Sequence, residues 1–243
     1  MKKIMNGVVT INLREFYDYN ANQARNLLET ECDDFFWSNI NLLLSVKDLC
    51  ENSKPTRMKY SYLKHALFNL SSDFVNLAVA SYKLLSNAFE KECFLIIRKG
   101  YETIWLLDTF TRKPNSIKTW YATDRYNQSN TYPIDIKKEG KLYQRLSKFV
   151  HPNSQFQGTY MGLLFVEVYT YQIFFELIVC ICNMIESLFK ALEKINNISI
   201  NKYREHKDWF SAKERLLHSH LIAYDNNLAE LDHSIETKLI QYF

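Results

Sequence analysis

The chain is short of the residues that make turns, with 5 glycines and 4 prolines in 243 residues. A β-sandwich or barrel needs turn residues every roughly 8–12 positions, and a nucleotide-binding α/β fold needs glycine-rich strand-to-helix turns. This composition meets neither demand. Cysteine is sparse and odd in number, at 5, which argues against a disulfide framework and for reduced thiols in the cytoplasm. The formal charge of +3 is too small to imply a nucleic-acid surface unless basic residues gather locally. A long uncharged run is also missing. The most apolar stretch, Tyr160 to Leu192, carries Glu167, Gln172, Glu176, Asn183 and Glu186, so no run of about 18 uncharged apolar residues is left to span a membrane. The basic start, Met1-Lys2-Lys3-Ile4-Met5-Asn6-Gly7, is followed by Asn12, Arg14 and Glu15. Those polar residues interrupt the apolar segment that a signal peptide needs.

What is present is apolar and aromatic: 47% hydrophobic against 23% charged, with 16 Tyr and 16 Phe. Such fractions exclude disorder as the main state, and a chain of this length buries a substantial core. The expected fold is all-α, a multi-helix bundle forming a single domain over residues 1–243 with its core at about 60–195. Leu27, Leu28, Phe35, Phe36, Leu42, Leu43, Val46 and Leu49 recur at three- and four-residue spacings, which predicts an N-terminal helix over 12–53. Pro55 ends it, because the residue before a proline resists the α conformation. A second helix is expected from Tyr60 to Ser81 or on to Leu85, and a third from Asn87 to Thr111, stopped by Pro114. A short helix fits Ser116 to Thr123. Residues 124–135 read as a loop, followed by a helix from Ile136 to Val150 that ends at His151-Pro152. A long, largely buried helix is expected over 159–195, and polar helices over 200–242 packed on the core.

The helical wheel separates the polar residues of these helices. On the long helix, Gln172, Glu176, Asn183, Glu186 and Lys190 fall within a sector about 80° wide, a solvated stripe. Glu167 lies about 180° from Glu176, on the face of Leu163, Tyr171, Phe174 and Ile178, where a carboxylate needs a partner. The stretch from Cys93 to Leu107 is apolar on almost every side, interrupted by Arg98 and Glu102 at i, i+4 spacing. Arg before Glu is the weaker order for a surface pair, so the pair is expected to sit in a groove. With His151, these residues are the polar groups expected near the bundle interior. Two readings of Arg98, Glu102, His151 and Glu167 stand side by side: an ion-pair network that specifies packing, or a functional cleft.

A second group closes the helix before Pro152: Arg145, Ser147 and His151 in Arg145-Leu146-Ser147-Lys148-Phe149-Val150-His151. A histidine near neutral pH serves as a general base, and an arginine holds a phosphate. The bland alternative is a helix-terminal histidine bonded to the last carbonyls, beside a solvated arginine. Metal binding is not expected. His218 and His220 are two residues apart, as are Cys180 and Cys182, so neither pair shares a helix face as an i, i+4 metal pair does. No cofactor motif is present.

Beyond the residues themselves, the segments Tyr82-Lys83-Leu84-Leu85-Ser86, Ile97 to Thr103, Lys113-Pro114 with Trp120, and Tyr143 to Pro152 resemble a group of bacterial helical proteins with an R-x3-E helix and an LSxxVHP segment. The span from Arg145 to His151 also resembles the R-x4-6-H motif of the HEPN superfamily. That resemblance covers about a third of the chain and implies a helical, often dimeric, metal-independent endoribonuclease. Its roles would lie in phage defence, abortive infection or toxin–antitoxin systems. It implies His151 and Arg145 as catalytic groups at the RNA phosphate, with Arg98, Glu102, Glu167 and Ser147 in support. A homodimer, an RNA substrate and a partner protein or antitoxin would follow. Leu146 and Pro152 depart from the usual pattern, where a polar residue follows the arginine and proline does not follow the histidine. The alternative function is a non-catalytic binding or regulatory bundle using the same polar residues for structure or for a ligand pocket.

Overall fold

The computed structural model describes residues 2–5, 8–11, 13–55, 57, 59–122 and 166–196, and the account below concerns those residues. They form an all-helical bundle preceded by a small hairpin. Strands β1 (Lys2–Met5) and β2 (Val8–Ile11) pair antiparallel, with Lys2 opposite Ile11 and Met5 opposite Val8. The sequence between them is Asn6-Gly7, the dipeptide that most favours two-residue hairpin connections. The helical pattern beginning at residue 12 did not announce this hairpin.

Six helices follow: α1 (Leu13–Glu31), α2 (Asp33–Asn52), α3 (Lys59–Leu85), α4 (Glu90–Arg112), α5 (Ser116–Ala122) and α6 (Val166–Asn196). The single helix expected over 12–53 is two helices meeting at Cys32. Backbone bonds run through the junction, Cys32 N–H to the Leu28 carbonyl and Phe36 N–H to the Cys32 carbonyl, both 2.9 Å. Cys32 is thus the junction of α1 and α2, bonded to a residue of each. Ser53 closes α2 by donating from its hydroxyl to the Cys50 carbonyl at 2.7 Å, and the Lys64 ammonium of α3 donates to the Ser53 carbonyl at 2.9 Å.

The helix expected to start at Asn87 begins at Glu90, because residues 86–89 form the turn that ends α3. Phe89 N–H bonds the Leu84 carbonyl and Ala88 N–H the Leu85 carbonyl, both at 3.0 Å. This is a Schellman closure with Ala88 in the left-handed region at φ 58°, where glycine is the usual residue. Glu90 and Glu92 then sit in the first turn of α4 and Arg112 in its last, each of favourable sign for the helix dipole.

Contacts between side chains set the helix directions. As α2 advances from Asp33 to Lys47, its partners on α3 retreat from Tyr82 to Phe68, so α2 and α3 are antiparallel. Cys93 meets Ser81 and Gly100 meets Phe74, so α3 and α4 are antiparallel too. Helices α4 and α6 run parallel, because Gly100 lies at Cys180 and Asp108 at Ser187. The core between them contains Phe36, Leu43, Phe74, Ile97, Tyr101, Phe110, Phe174 and Ile178, each at most 2% exposed. Helix α6 is buried around most of its circumference, as expected of the long helix. No described helix is long and apolar enough to cross a membrane. The expected helices over 136–150 and 200–242 fall outside the described residues.

Candidate functional site

Arg98 and Glu102 form the ion pair that their spacing on α4 suggests. Nε of Arg98 lies 3.4 Å from Oε1 of Glu102, with side chains 20% and 16% exposed. The pair is half-buried on a largely apolar helix. The second carboxylate oxygen of Glu102 faces Nζ of Lys99 at 3.4 Å, and that lysine is more than half exposed. Glu102 thus joins a half-buried cation to a solvated one within a single turn of helix. Such a pair gives modest stability; its larger effect is to keep the guanidinium from being buried without an opposite charge.

One residue before Glu102, Tyr101 is 2% exposed and its hydroxyl donates to Oε1 of Glu176 on α6 at 3.3 Å. This corrects the solvated stripe expected on the long helix. Glu186 and Lys190 are exposed and paired with each other at 2.8 Å. Glu176 is half-buried and bonded across the helix interface. Tyr101 reaches back toward the N-terminus of α4, the direction helical side chains take, which is why it meets Glu176 although its backbone neighbours on α6 lie further along. Close to this tie, α4 and α6 touch through Gly100: a Cβ there would stand 3.0 Å from Sγ of Cys180 and 3.2 Å from the Phe74 ring.

The other expected site residues are placed as follows. Glu167 lies on the α6 helix, but its side chain is outside the described residues. Arg145, Ser147 and His151 are outside the described residues as well. The expected inward face of α6 is seen at Phe174 and Ile178, 1% and 0% exposed.

Three groupings were not foreseen. Asp108 of α4 is half-buried, accepts a hydrogen bond from the Ser187 hydroxyl of α6 and lies near Lys190 and Arg112. Burial pushes its carboxyl above the ordinary 3.8; Glu186 adds to the rise, while Ser187, Lys190 and Arg112 oppose it. A carboxylate after Ile104-Trp105-Leu106-Leu107 was the available signal. Second, Oδ1 of Asp33 accepts from the Tyr82 hydroxyl at 2.8 Å and from Trp37 Nε1 at 3.0 Å. Burial, and then the bond to Asp33, push the Tyr82 hydroxyl far up. The Tyr82 ring is stacked on Phe36, centroids 4.1 Å apart, with Phe174 edge-on. The third is a run of exposed rings on α3 and α5: Tyr62, Phe68 and Tyr121. Tyr121 sits 6.2 Å from the His65 ring and accepts from Asn69 Nδ2 at 3.2 Å.

The five cysteines are free and buried. Burial raises the Cys50 thiol to about 12 and also pushes those of Cys93 and Cys180 well up. Those three carry none of the thiolate character that makes cysteine a nucleophile. Among the described residues, no group of three or more His, Cys, Asp or Glu side chains is arranged to hold a metal ion. No family model, no curated protein and no solved structure matches this chain. The site is therefore read from the chain's own residues.

Proposed function

We propose that this chain is a binding protein for RNA, in which the bundle acts as a scaffold and its interior polar groups specify packing. The observation that supports this reading is that polar groups on α4, and those joining α4 to α6, are answered within the protein. Glu102 faces Arg98 and Lys99, Tyr101 donates to Glu176, and Ser187 donates to Asp108. The Tyr101–Glu176 and Asp108–Ser187 bonds join the two helices, the Glu102 pairs lie within α4, and groups committed in this way leave little capacity for a substrate. RNA is the ligand that the resemblance favours, and the cytoplasm is the compartment that reduced thiols favour.

A second reading is kept because one specific feature favours it, the Arg145-x5-His151 spacing beside Pro152. Under that reading the protein is a HEPN-like, metal-independent endoribonuclease of bacterial defence, paired as a homodimer and restrained by a partner. His151 would take the 2′-hydroxyl proton and Arg145 would hold the phosphate.

One experiment separates the two. Purified wild type, Arg145→Ala and His151→Ala are incubated with labelled RNA in excess EDTA and followed for both complex formation and cleavage. The expected result is that all three form a complex and none cuts. Cleavage by wild type that both variants lose would establish the second reading in place of the first. Failure of wild type to bind or cut RNA removes both.

A further inference from the structure

Two stretches of the sequence are basic and free of acid. Residues 54–72 contain Lys54, Arg57, Lys59 and Lys64, and residues 109–122 contain Arg112, Lys113 and Lys118, with no Asp or Glu in either. The fold brings them together. Nζ of Lys118 on α5 lies over the Tyr62 ring of α3, 5.4 Å from its centroid. The contacts of Tyr121 with His65 and Asn69 tie the same two helices one to two turns further on. Trp120 anchors α5 from beneath by packing on Phe110 at 5.2 Å, so the Tyr121 ring beside it is held in place. The outcome is a local excess of positive charge on a molecule whose formal total is only +3.

The rings on this face are exposed where aromatic side chains are ordinarily buried: Tyr62 by 43%, Phe68 by 40% and Tyr121 by 47%. Tyr62, His65 and Asn69 follow at three- and four-residue intervals and share one side of α3. Phe68 lies at the edge toward α2, with Nζ of Lys47 4.6 Å from its centroid. From Tyr62 to Phe68 the helix rises about 9 Å at 1.5 Å per residue. The acidic groups bordering the face are few: Glu51 is paired with Lys47, and Asp73 lies one turn beyond Asn69. Lys64 bonds the Ser53 carbonyl and still contributes its charge.

We propose that this face of α3 and α5 binds an unpaired RNA strand, with bases stacked on Tyr62 and Tyr121 and the phosphates drawn to Lys118, Lys64 and Arg57. The inference rests on the RNA-binding reading above and deepens it by naming the place and the strand type. Exposed rings interleaved with cations are what single strands use, because every base has a face to stack and every nucleotide a charge to neutralise. Duplex RNA hides its bases and is recognised through its minor groove. The polar partners of these rings, His65 and Asn69, suit a wet contact better than insertion among lipid chains. His65 and Asn69 are also groups of the kind that hydrogen-bond a 2′-hydroxyl, which is the ground for choosing RNA over DNA.

The test measures fluorescence anisotropy of the full chain with a labelled twenty-nucleotide oligouridine. Its arms replace that RNA with the matching single-stranded DNA, with duplex RNA, or with vesicles of phosphatidylserine and phosphatidylcholine. Single-stranded RNA is expected to bind most tightly and to weaken steeply as salt rises. The double variant Tyr62→Ala/Tyr121→Ala should weaken it roughly tenfold or more, and Lys118→Ala a few-fold with a shallower salt slope. Lys83→Ala, an exposed lysine near the other end of α3, should bind as wild type does. Circular dichroism melting establishes that each variant is folded. Undiminished binding by the folded double variant overturns the face and leaves the RNA-binding reading standing. Tighter binding to DNA, duplex or vesicles overturns the assignment of the strand. No RNA binding by wild type removes both proposals.

Discussion

Tyr82 and Tyr62 stand near opposite ends of one helix, α3, and the protein uses them differently. Tyr82 is 4% exposed, stacked on Phe36, flanked by Phe174 and hydrogen-bonded to Asp33. Tyr62 is 43% exposed, and the Lys118 ammonium lies over its ring. At the first position the ring area is buried on folding and contributes to stability, and the polar tip is satisfied inside. At the second most of that area stays in water. A folded protein shows many isolated exposed apolar atoms without consequence. Several exposed rings gathered with cations are the observation on which the proposed single-strand surface rests.

Substitutions test this contrast. The largest effect is expected at the buried end. Phe36→Ala removes a fully buried ring from the stack with Tyr82 and should cost about 3–5 kcal/mol, read as a fall in the urea midpoint of unfolding. A loss as small as that of a surface ring would show that the inner cluster does not hold α2 to α3. Next comes Gly100→Val, which drives a branched side chain toward Cys180 and Phe74; overpacking of this kind costs about 1–3 kcal/mol. Thermal melting that is unchanged would mean that α4 and α6 can separate there without penalty.

A smaller effect appears as a slope with pH. Because burial raises the Asp108 carboxyl above 3.8 in the folded chain, the folded state keeps that proton after the unfolded state has released it. The contribution is full below the ordinary carboxylate pKa and is lost as pH rises through the raised value. Asp108→Asn should therefore flatten the decline in stability above about pH 4, measured as urea midpoints across pH 4–8. An identical decline in the variant would assign it to other groups. The smallest change is expected at the exposed end. Tyr62→Ala should alter stability by no more than about 0.5 kcal/mol, by the same denaturation, while reducing RNA binding. If it unfolds the protein as Phe36→Ala does, the two ends of α3 are not in opposite circumstances after all.

Parts of this contrast were readable before any geometry. Arg98 and Glu102 share a face at i, i+4 on an otherwise apolar helix, and their half-buried pairing follows from that spacing. Glu176 was misread because the wheel of α6 shows which residues share a sector but not which neighbouring helix occupies it. Tyr101 reaches Glu176 from 75 positions away in the chain, a separation over which no periodicity carries information. The hairpin was missed although its signal, Asn6-Gly7, was present, because the helical pattern beginning at residue 12 dominated the reading of the N-terminus.

Local physics is what the sequence determined alone. Scarce glycine and proline, and apolar residues at three- and four-residue spacing, specify helices, and Pro55 and Pro114 mark where two of them stop. These properties depend on hydrogen bonds and steric limits within a few residues. Tertiary structure decided the rest: the division of α1 from α2 at Cys32, the parallel course of α4 and α6, the tie from Tyr101 to Glu176, and the meeting of two acid-free stretches around Tyr62 and Tyr121. Each of these depends on which side chains close packing brings together. That choice is made among segments far apart in the chain, where burial acts on area and is blind to sequence distance.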